Sequence, residues 1–266
     1  MKWKRKLAQE MRERRQLEKL TQAELLKVAE ERGLLSRNWD TVVSLDFPHY
    51  CVHATTNCGG PKGWCYTFQG YQALQPHAAK VALVDLVASR YPDEFARLVA
   101  SEVRREVDAG RLPYPNVRLS GSGEIAATHF PAIKSLAEAG VALWGFSRSA
   151  QVAEFLSSIG VPVLFSCDAS TPPAAMEEAR LAKLPLAYTS TGVDDPPPSG
   201  AVVTFPVHRE GKVREVVDHS TVCPKVLQEF LDGHREAASC QVRCQRCHGP
   251  QNWSTFLADA GVTNCP

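Results

Sequence analysis

The sequence predicts an α/β protein: a partial or complete parallel (β/α) barrel of about six strands, with an N-terminal helical arm and a cysteine-rich, metal-binding C-terminal tail. Three observations carry this. Short apolar runs alternate with helical stretches of about 10–15 residues, the pattern of βαβ units. Polar residues follow these runs rather than interrupt them, as they do where parallel strands end at a functional rim. Five of the nine cysteines fall after residue 220, where strand character is lost.

The elements are expected in this order. Residues 1–37 hold 11 basic and 6 acidic side chains and read as helical. Thr21 with Glu24 forms a capping box that opens a second helix, and Gly33 closes it. This arm reads either as a contact with an acidic partner or as a solvated helix that covers the end of the main domain. Residues 41–45 (TVVSL) form the first strand, and a loop with three cysteines follows. Helices come next near 76–90 and 92–110. Residues 116–120 (NVRLS) are a strand that runs into Gly121-Ser122-Gly123-Glu124. A helix near 128–139 ends at Gly140, and 141–146 (VALWGF) is a strand. A short helix at 150–158, a strand at 161–166, a helix at 172–183 and a strand at 184–189 continue the alternation. A Pro-rich turn at 195–198 leads to a strand at 201–207. The divisions are thus an arm (1–38), a catalytic domain (39–220) and a tail (221–266).

Composition sets the outer bounds. The chain has 266 residues, 44% apolar and 22% charged, which is globular and excludes a disordered or fibrous protein. Thirty basic residues face 29 acidic ones, so no global field argues for nucleic acid. No apolar run approaches the ~18–20 residues of a membrane-spanning helix. The opening run MKWKRKLAQEMRERRQ lacks the apolar stretch of a secretory signal, so the expected location is cytoplasmic. Clustered thiols in a reducing compartment more often bind metal than form disulfides.

Cys51, Cys58 and Cys65 are each separated by six residues, and a loop of that length can bring three thiolates to one centre. Three ligands leave one iron of a [4Fe-4S] cluster without a protein ligand, the open position a catalytic metal needs. His53, inside the loop, is a candidate fourth ligand, most simply for zinc. In the tail, Cys240, Cys244 and Cys247 are tightly spaced, and Cys223 or Cys265 can supply a fourth thiolate. Four thiolates make a closed site, either a zinc knot or a fully ligated iron–sulfur cluster. His248 is a weaker candidate. Cys167, alone at a strand end, reads as a small core residue, with Asp168 beside it facing the site. No P-loop, His-Glu-x2-His or Gly-x-Ser-x-Gly is present, and Gly121-Ser122-Gly123 lacks the third glycine of a dinucleotide turn.

Taken in order, Cys51, Cys58, Cys65-Tyr66, the strand 117–120 running into Gly123-Glu124, Phe146-Ser147-Arg148-Ser149, Cys223-Pro224 and the Cys240/Cys244/Cys247 group resemble the phage "gene product eighty-eight" domain family. The likeness covers roughly residues 41–248. The same order is similar to radical S-adenosylmethionine enzymes, in which a cysteine triplet follows the first strand and a Gly-Gly-Glu turn the second. That resemblance implies a site-differentiated [4Fe-4S] cluster on Cys51, Cys58 and Cys65 and an auxiliary cluster in the tail. It implies that Gly121, Gly123, Glu124 and Ser147 bind S-adenosylmethionine, Glu124 taking its ammonium group. The spacing here is x6/x6 rather than x3/x2, and Gly-Ser-Gly-Glu matches only approximately. Arg148 reads as a clamp for a substrate carboxylate or phosphate or as a salt-bridge residue; Asp168 and Tyr66 join it as catalytic candidates, and His129 and Tyr66 are candidate proton donors near the rim. The implied partners are a small-molecule or modified-macromolecule substrate and an electron donor such as ferredoxin or flavodoxin. The competing expectation is a zinc-stabilised module that binds nucleic acid or protein.

Overall fold

Val43, Leu45, Val117 and Leu119 are completely buried, as expected of parallel strands covered on both faces. They belong to a computed structural model that describes residues 2–38, 42–49, 53, 55, 75–112, 114–190 and 194–206. The chain opens with helices α1 (Lys2–Leu17) and α2 (Gln22–Arg32), then strands β1 (Ser36–Asn38) and β2 (Val42–Leu45). Helices α3 (Gln75–Arg90) and α4 (Pro92–Asp108) precede β3 (Asn116–Leu119). A single 3-10 turn, Ala127–His129, leads into α5 (Phe130–Glu138). The remainder runs β4 (Ala142–Ser147), α6 (Ala150–Ser158), β5 (Val163–Asp168), α7 (Pro173–Leu181), β6 (Leu186–Ser190) and β7 (Ala201–Pro206).

The strands form one seven-stranded sheet in the order β1-β2-β3-β4-β5-β6-β7. β1 is antiparallel to β2, while the β2–β3, β4–β5, β5–β6 and β6–β7 pairs are parallel. Strand order follows chain order without the reversal that defines a doubly wound sheet. The protein is therefore α/β with a mostly parallel sheet, consistent with a partial barrel. β1 was not expected: its three residues, Ser-Arg-Asn, carry no apolar alternation that would announce a strand.

The chain forms two compact units, Met1–Val52 with Cys65–Trp144 and His53–Trp64 with Gly145–Pro266. In the first, α1 packs on α3 and α4 on α5. Phe95, Val99 and Val103 line the buried side of α4 at helical spacing, and Ala132, Ile133 and Leu136 are the buried residues of α5. The capping box at Thr21 forms as expected: the Thr21 N–H donates to Glu24 Oε2 at 2.9 Å, and the Glu24 N–H to Thr21 Oγ1 at 3.4 Å. α1 is different. Its inward stripe is charged, with Lys6 and Glu10 both more than nine-tenths buried. In the second unit, Phe165, Cys167 and Val203 are fully buried, and the Phe146 ring meets Phe205 edge-on at 5.8 Å.

No described helix is long and apolar enough to cross a membrane. Cys51, Cys58, Cys65, Tyr66, Cys223, Cys240, Cys244, Cys247, His248, Cys265 and the tail boundary at 221 lie outside the described residues.

Candidate functional site

The turn after β3 is built against the segment after β2, within the first unit. The Gly121 N–H donates to Leu45 O at 3.2 Å, the Phe47 N–H to Ser122 O at 3.0 Å and the Glu124 N–H to Pro48 O at 3.1 Å. The two chains thus run together past the end of the strands. This close approach dictates the glycines. A Cβ at Gly123 would lie 1.8 Å from Phe47 O, and one at Gly121 would lie 2.4 Å from Ser44 Oγ and 2.6 Å from Asp46 Oδ1. Gly123 has φ +75 and Ser120 φ +52, a conformation that is strained for a serine. The result fixes the backbone of half-buried Glu124 beside Pro48, three residues before Cys51 in the chain.

Three histidine–carboxylate pairs lie in the same unit, all buried. His77 Nε2 is 2.9 Å from Asp46 Oδ2, and its Nδ1 is 3.4 Å from Lys6 Nζ. Lys6 can only donate, so Nδ1 accepts and the ring proton sits on Nε2, shared between Asp46 and Ser122 Oγ at 3.3 Å. His129 follows the same rule. Its Nδ1 accepts the Ala126 N–H at 3.1 Å, so Nε2–H donates to Asp85 Oδ1 at 2.8 Å. Arg14 bonds the other oxygen of Asp85. His129, expected as a proton donor at the rim, is instead fully buried with both ring nitrogens engaged and its ring 4.9 Å from Phe47.

The third pair is His49–Glu10. Glu10 Oε1 is 2.6 Å from His49 Nδ1, and Oε2 accepts the backbone N–H of the same residue at 3.1 Å. Among the described residues, His49 Nε2 and Ser120 Oγ are both buried without a hydrogen-bond partner. Burial alone would raise the Asp46 carboxyl. The His77 hydrogen bond, with the nearby Arg118 guanidinium, outweighs it and holds Asp46 below the ordinary aspartate range.

In the second unit the strand ends carry Arg148 and Asp168. Arg148 Nη1 is 2.9 Å from Asp168 Oδ2 and 3.2 Å from Thr55 Oγ1. Thr55 donates to the same carboxylate oxygen at 2.5 Å, and Ser170 donates to Oδ1 through its N–H at 2.8 Å and its hydroxyl at 2.7 Å. Burial raises the Asp168 carboxyl, but these donors and the guanidinium together hold it below its usual value. Such a carboxylate is a weak base and a strong orienting group for Arg148. Of the two readings of Arg148, the geometry shows the ion pair, here buried rather than on the surface. Ser147 is buried, and its hydroxyl accepts the Ser149 N–H at 3.0 Å and donates to Ser149 O at 3.1 Å, which stiffens the turn carrying Arg148. Ser149 in turn caps α6 through the Val152 N–H.

Cys167 is a core residue. It is fully buried, its thiol faces Ala187 O at 3.7 Å, and burial pushes it up to about 11. It is no nucleophile in this state.

Sequence reasoning missed Lys6, Glu10, Asp46, His49, His77 and Asp85. A signal was there for the helix: Lys6, Glu10 and Arg14 recur every four residues, so they share a face. Charged residues at that spacing ordinarily mark a solvated surface, and only the tertiary fold shows otherwise. Asp46 and His49 closely follow β2, where a functional residue is expected. Among the described residues no group of three or more His, Cys, Asp or Glu side chains is arranged to hold a metal ion. No family model, curated protein or solved structure matches this chain.

Proposed function

We propose that this chain is an iron–sulfur enzyme of the radical S-adenosylmethionine type, in which Cys51, Cys58 and Cys65 hold an open-site [4Fe-4S] cluster. Cys223, Cys240, Cys244 and Cys247 would hold an auxiliary cluster. The observation that carries this reading is the docking of the Gly121–Glu124 turn on residues 45–48. It sets an acidic residue beside the chain that leads into the cysteine loop, at the ends of adjacent parallel strands. A mostly parallel sheet with its strands in chain order is the matching scaffold, and a barrel-type rim is the place for such a site. Soft thiolate donors suit iron or zinc rather than hard cations. When bound, such a cluster supplies one electron to a sulfonium cosubstrate. The chain's own residues would position it: Glu124 offers an anion to an ammonium group, a charge-assisted bond of roughly 1.5–3 kcal/mol. In the other unit, Arg148, oriented by Asp168 and Thr55, offers a guanidinium to a substrate anion. Ser147 acts through the Arg148 turn, and Tyr66 is a proton-donor candidate.

A second reading, a zinc-stabilised nucleic-acid-binding module, is favoured by one feature. The outer face of α1 presents Arg5, Arg12 and Arg15 together, all exposed. The deciding experiment is anaerobic purification with iron, sulfide and zinc quantification and electron paramagnetic resonance before and after adding S-adenosylmethionine. The enzyme reading expects about eight irons and eight sulfides per chain, falling to about four of each in Cys51→Ala. A colourless protein holding only zinc, with salt-dependent binding to single-stranded DNA, would establish the second reading instead.

A further inference from the structure

From the geometry we infer that His77 is the positioning residue of the Gly121–Glu124 turn, and that Lys6, on the inner face of α1, holds it in that role by fixing its tautomer. The inference deepens the proposed reading of that turn and rests on it only for what the turn binds.

Lys6, Asp46, His77 and Ser122 are all more than nine-tenths buried. His77, in the first turn of α3, ties three other segments of the first unit together: α1 through Lys6, the chain after β2 through Asp46 and the turn after β3 through Ser122. An ammonium has three donors and no acceptor, so Lys6 obliges Nδ1 to accept and leaves the ring proton on Nε2. Nε2 is 2.9 Å from Asp46 Oδ2 and 3.3 Å from Ser122 Oγ, and its proton serves both. In the other tautomer a bare Nε2 lone pair would face an ionised carboxylate, and the contact that fixes the ring would become repulsive. Lys6 therefore decides whether His77 can hold Asp46 and Ser122 together.

Ser122 stands between two glycines, so its hydroxyl is the side-chain hold available at the middle of the turn. The turn needs one. Ser120 and Gly123 are both at positive φ, and the three hydrogen bonds that dock the turn on residues 45–48 run backbone to backbone. A serine in that conformation persists only where its surroundings hold it. The rest of the inner face of α1 brackets the same turn. Arg14 bonds Asp85, Asp85 accepts from His129, and His129 accepts the Ala126 N–H two residues beyond Glu124. Glu10 accepts the His49 N–H next to Pro48, whose carbonyl takes the Glu124 N–H. Each inward charge of α1 thus ends, through at most two side chains, on the turn or on the residues that carry it.

The test uses amide hydrogen exchange of the full chain, read residue by residue by nuclear magnetic resonance, with Val99 and Val103 on the buried side of α4 as reference. His77→Leu is expected to speed exchange at Phe47, Gly121 and Glu124 about 5- to 10-fold more than at the reference amides, the worth of one hydrogen bond. His77→Gln, which can place an amide N–H where the ring Nε2–H stood, should restore most of that protection. In side-chain 15N spectra the His77 proton is expected on Nε2, and Lys6→Met should mix the two tautomers and loosen the turn. Ser122→Ala leaves Lys6, His77 and Asp46 joined and should loosen the turn alike, which keeps the test decisive if His77→Leu fails to fold. Four results would each overturn the inference: exchange that rises equally in the turn and in α4, a turn unmoved by these variants, no rescue by His77→Gln, or a ring proton on Nδ1 in the wild type. Calorimetry with S-adenosylmethionine judges the ligand separately, since His77→Leu and Ser122→Ala should weaken its binding by a similar factor. A wild-type chain that shows the exchange pattern yet binds no S-adenosylmethionine would support the positioning role and refute the cosubstrate reading.

Discussion

Replacing Gly123 by alanine tests whether the turn after β3 is held by its contact with the segment after β2. Two effects add. A positive φ costs a residue with a Cβ about 1–2 kcal/mol wherever it occurs. The second effect is local: the new methyl would sit 1.8 Å from Phe47 O, 2.5 Å from its carbonyl carbon and 2.8 Å from Pro48 O. These are backbone atoms, so no side chain can swing away. Relief requires the two segments to part, which loses the Phe47-to-Ser122 and Glu124-to-Pro48 hydrogen bonds at about 1 kcal/mol each. The sum is about 3–4 kcal/mol. Gly140 is the control, because it has φ +79 and a Cβ there would meet nothing within 4 Å. Gly140→Ala should therefore cost only the first effect, about 1–2 kcal/mol. Urea unfolding at 25 °C, followed by far-ultraviolet circular dichroism, reads both. Equal costs for the two variants would refute the reasoning and free Gly123 for another explanation.

Two further predictions concern the second unit. Cys167 should resist iodoacetamide at pH 8 in the folded protein and react once urea is added, because a thiol pushed up to about 11 is almost wholly protonated there; rapid native alkylation in peptide mass spectra would contradict its burial. Asp168 has a folded value below its unfolded one, so its contribution to stability is present above the ordinary aspartate value of 3.8 and is lost as pH falls through the folded value. Asp168→Asn should therefore flatten the acid limb of the stability curve below about pH 4, by at most one proton or about 1.4 kcal/mol per pH unit. An acid limb of unchanged slope would show that the carboxylate is not held ionised by Thr55, Ser170 and Arg148.

The βα alternation was legible because each strand from β2 to β7 is a short, largely apolar run, and several helices begin with a readable signal. Thr21, Pro92 and Ser149 mark three of those starts. β1 was not legible, since a three-residue polar edge strand takes its existence from β2 rather than from its own pattern. The role of Gly121 and Gly123 was legible only in part. The sequence shows two glycines and an acid after a strand, whereas the need for glycine comes from a neighbouring segment more than 70 residues earlier. Arg148 and Asp168 were singled out separately from their places at strand ends. Their pairing with Thr55 depends on a residue 93 positions from Arg148 and 113 from Asp168, and no local pattern encodes such distances.

The buried charges of the first unit ask for a reason that stability does not supply. Taking an ion pair out of water commonly costs as much as its attraction returns, and a well-packed apolar substitute is often neutral or better. Yet α1 delivers Lys6, Glu10 and Arg14 inward, to His77, His49 and Asp85, where an apolar stripe would have anchored the helix more simply. Two of the three histidines are closed off completely by this arrangement. The third is closed on one side only, and that side is held by a carboxylate gripping both the ring and the backbone. Such pairings have strict geometry: each needs its own partner at its own distance, whereas an apolar stripe tolerates a helix that slides or turns. On this argument the charge on the inner face of α1 sets the helix in one register against α3 and the segment after β2.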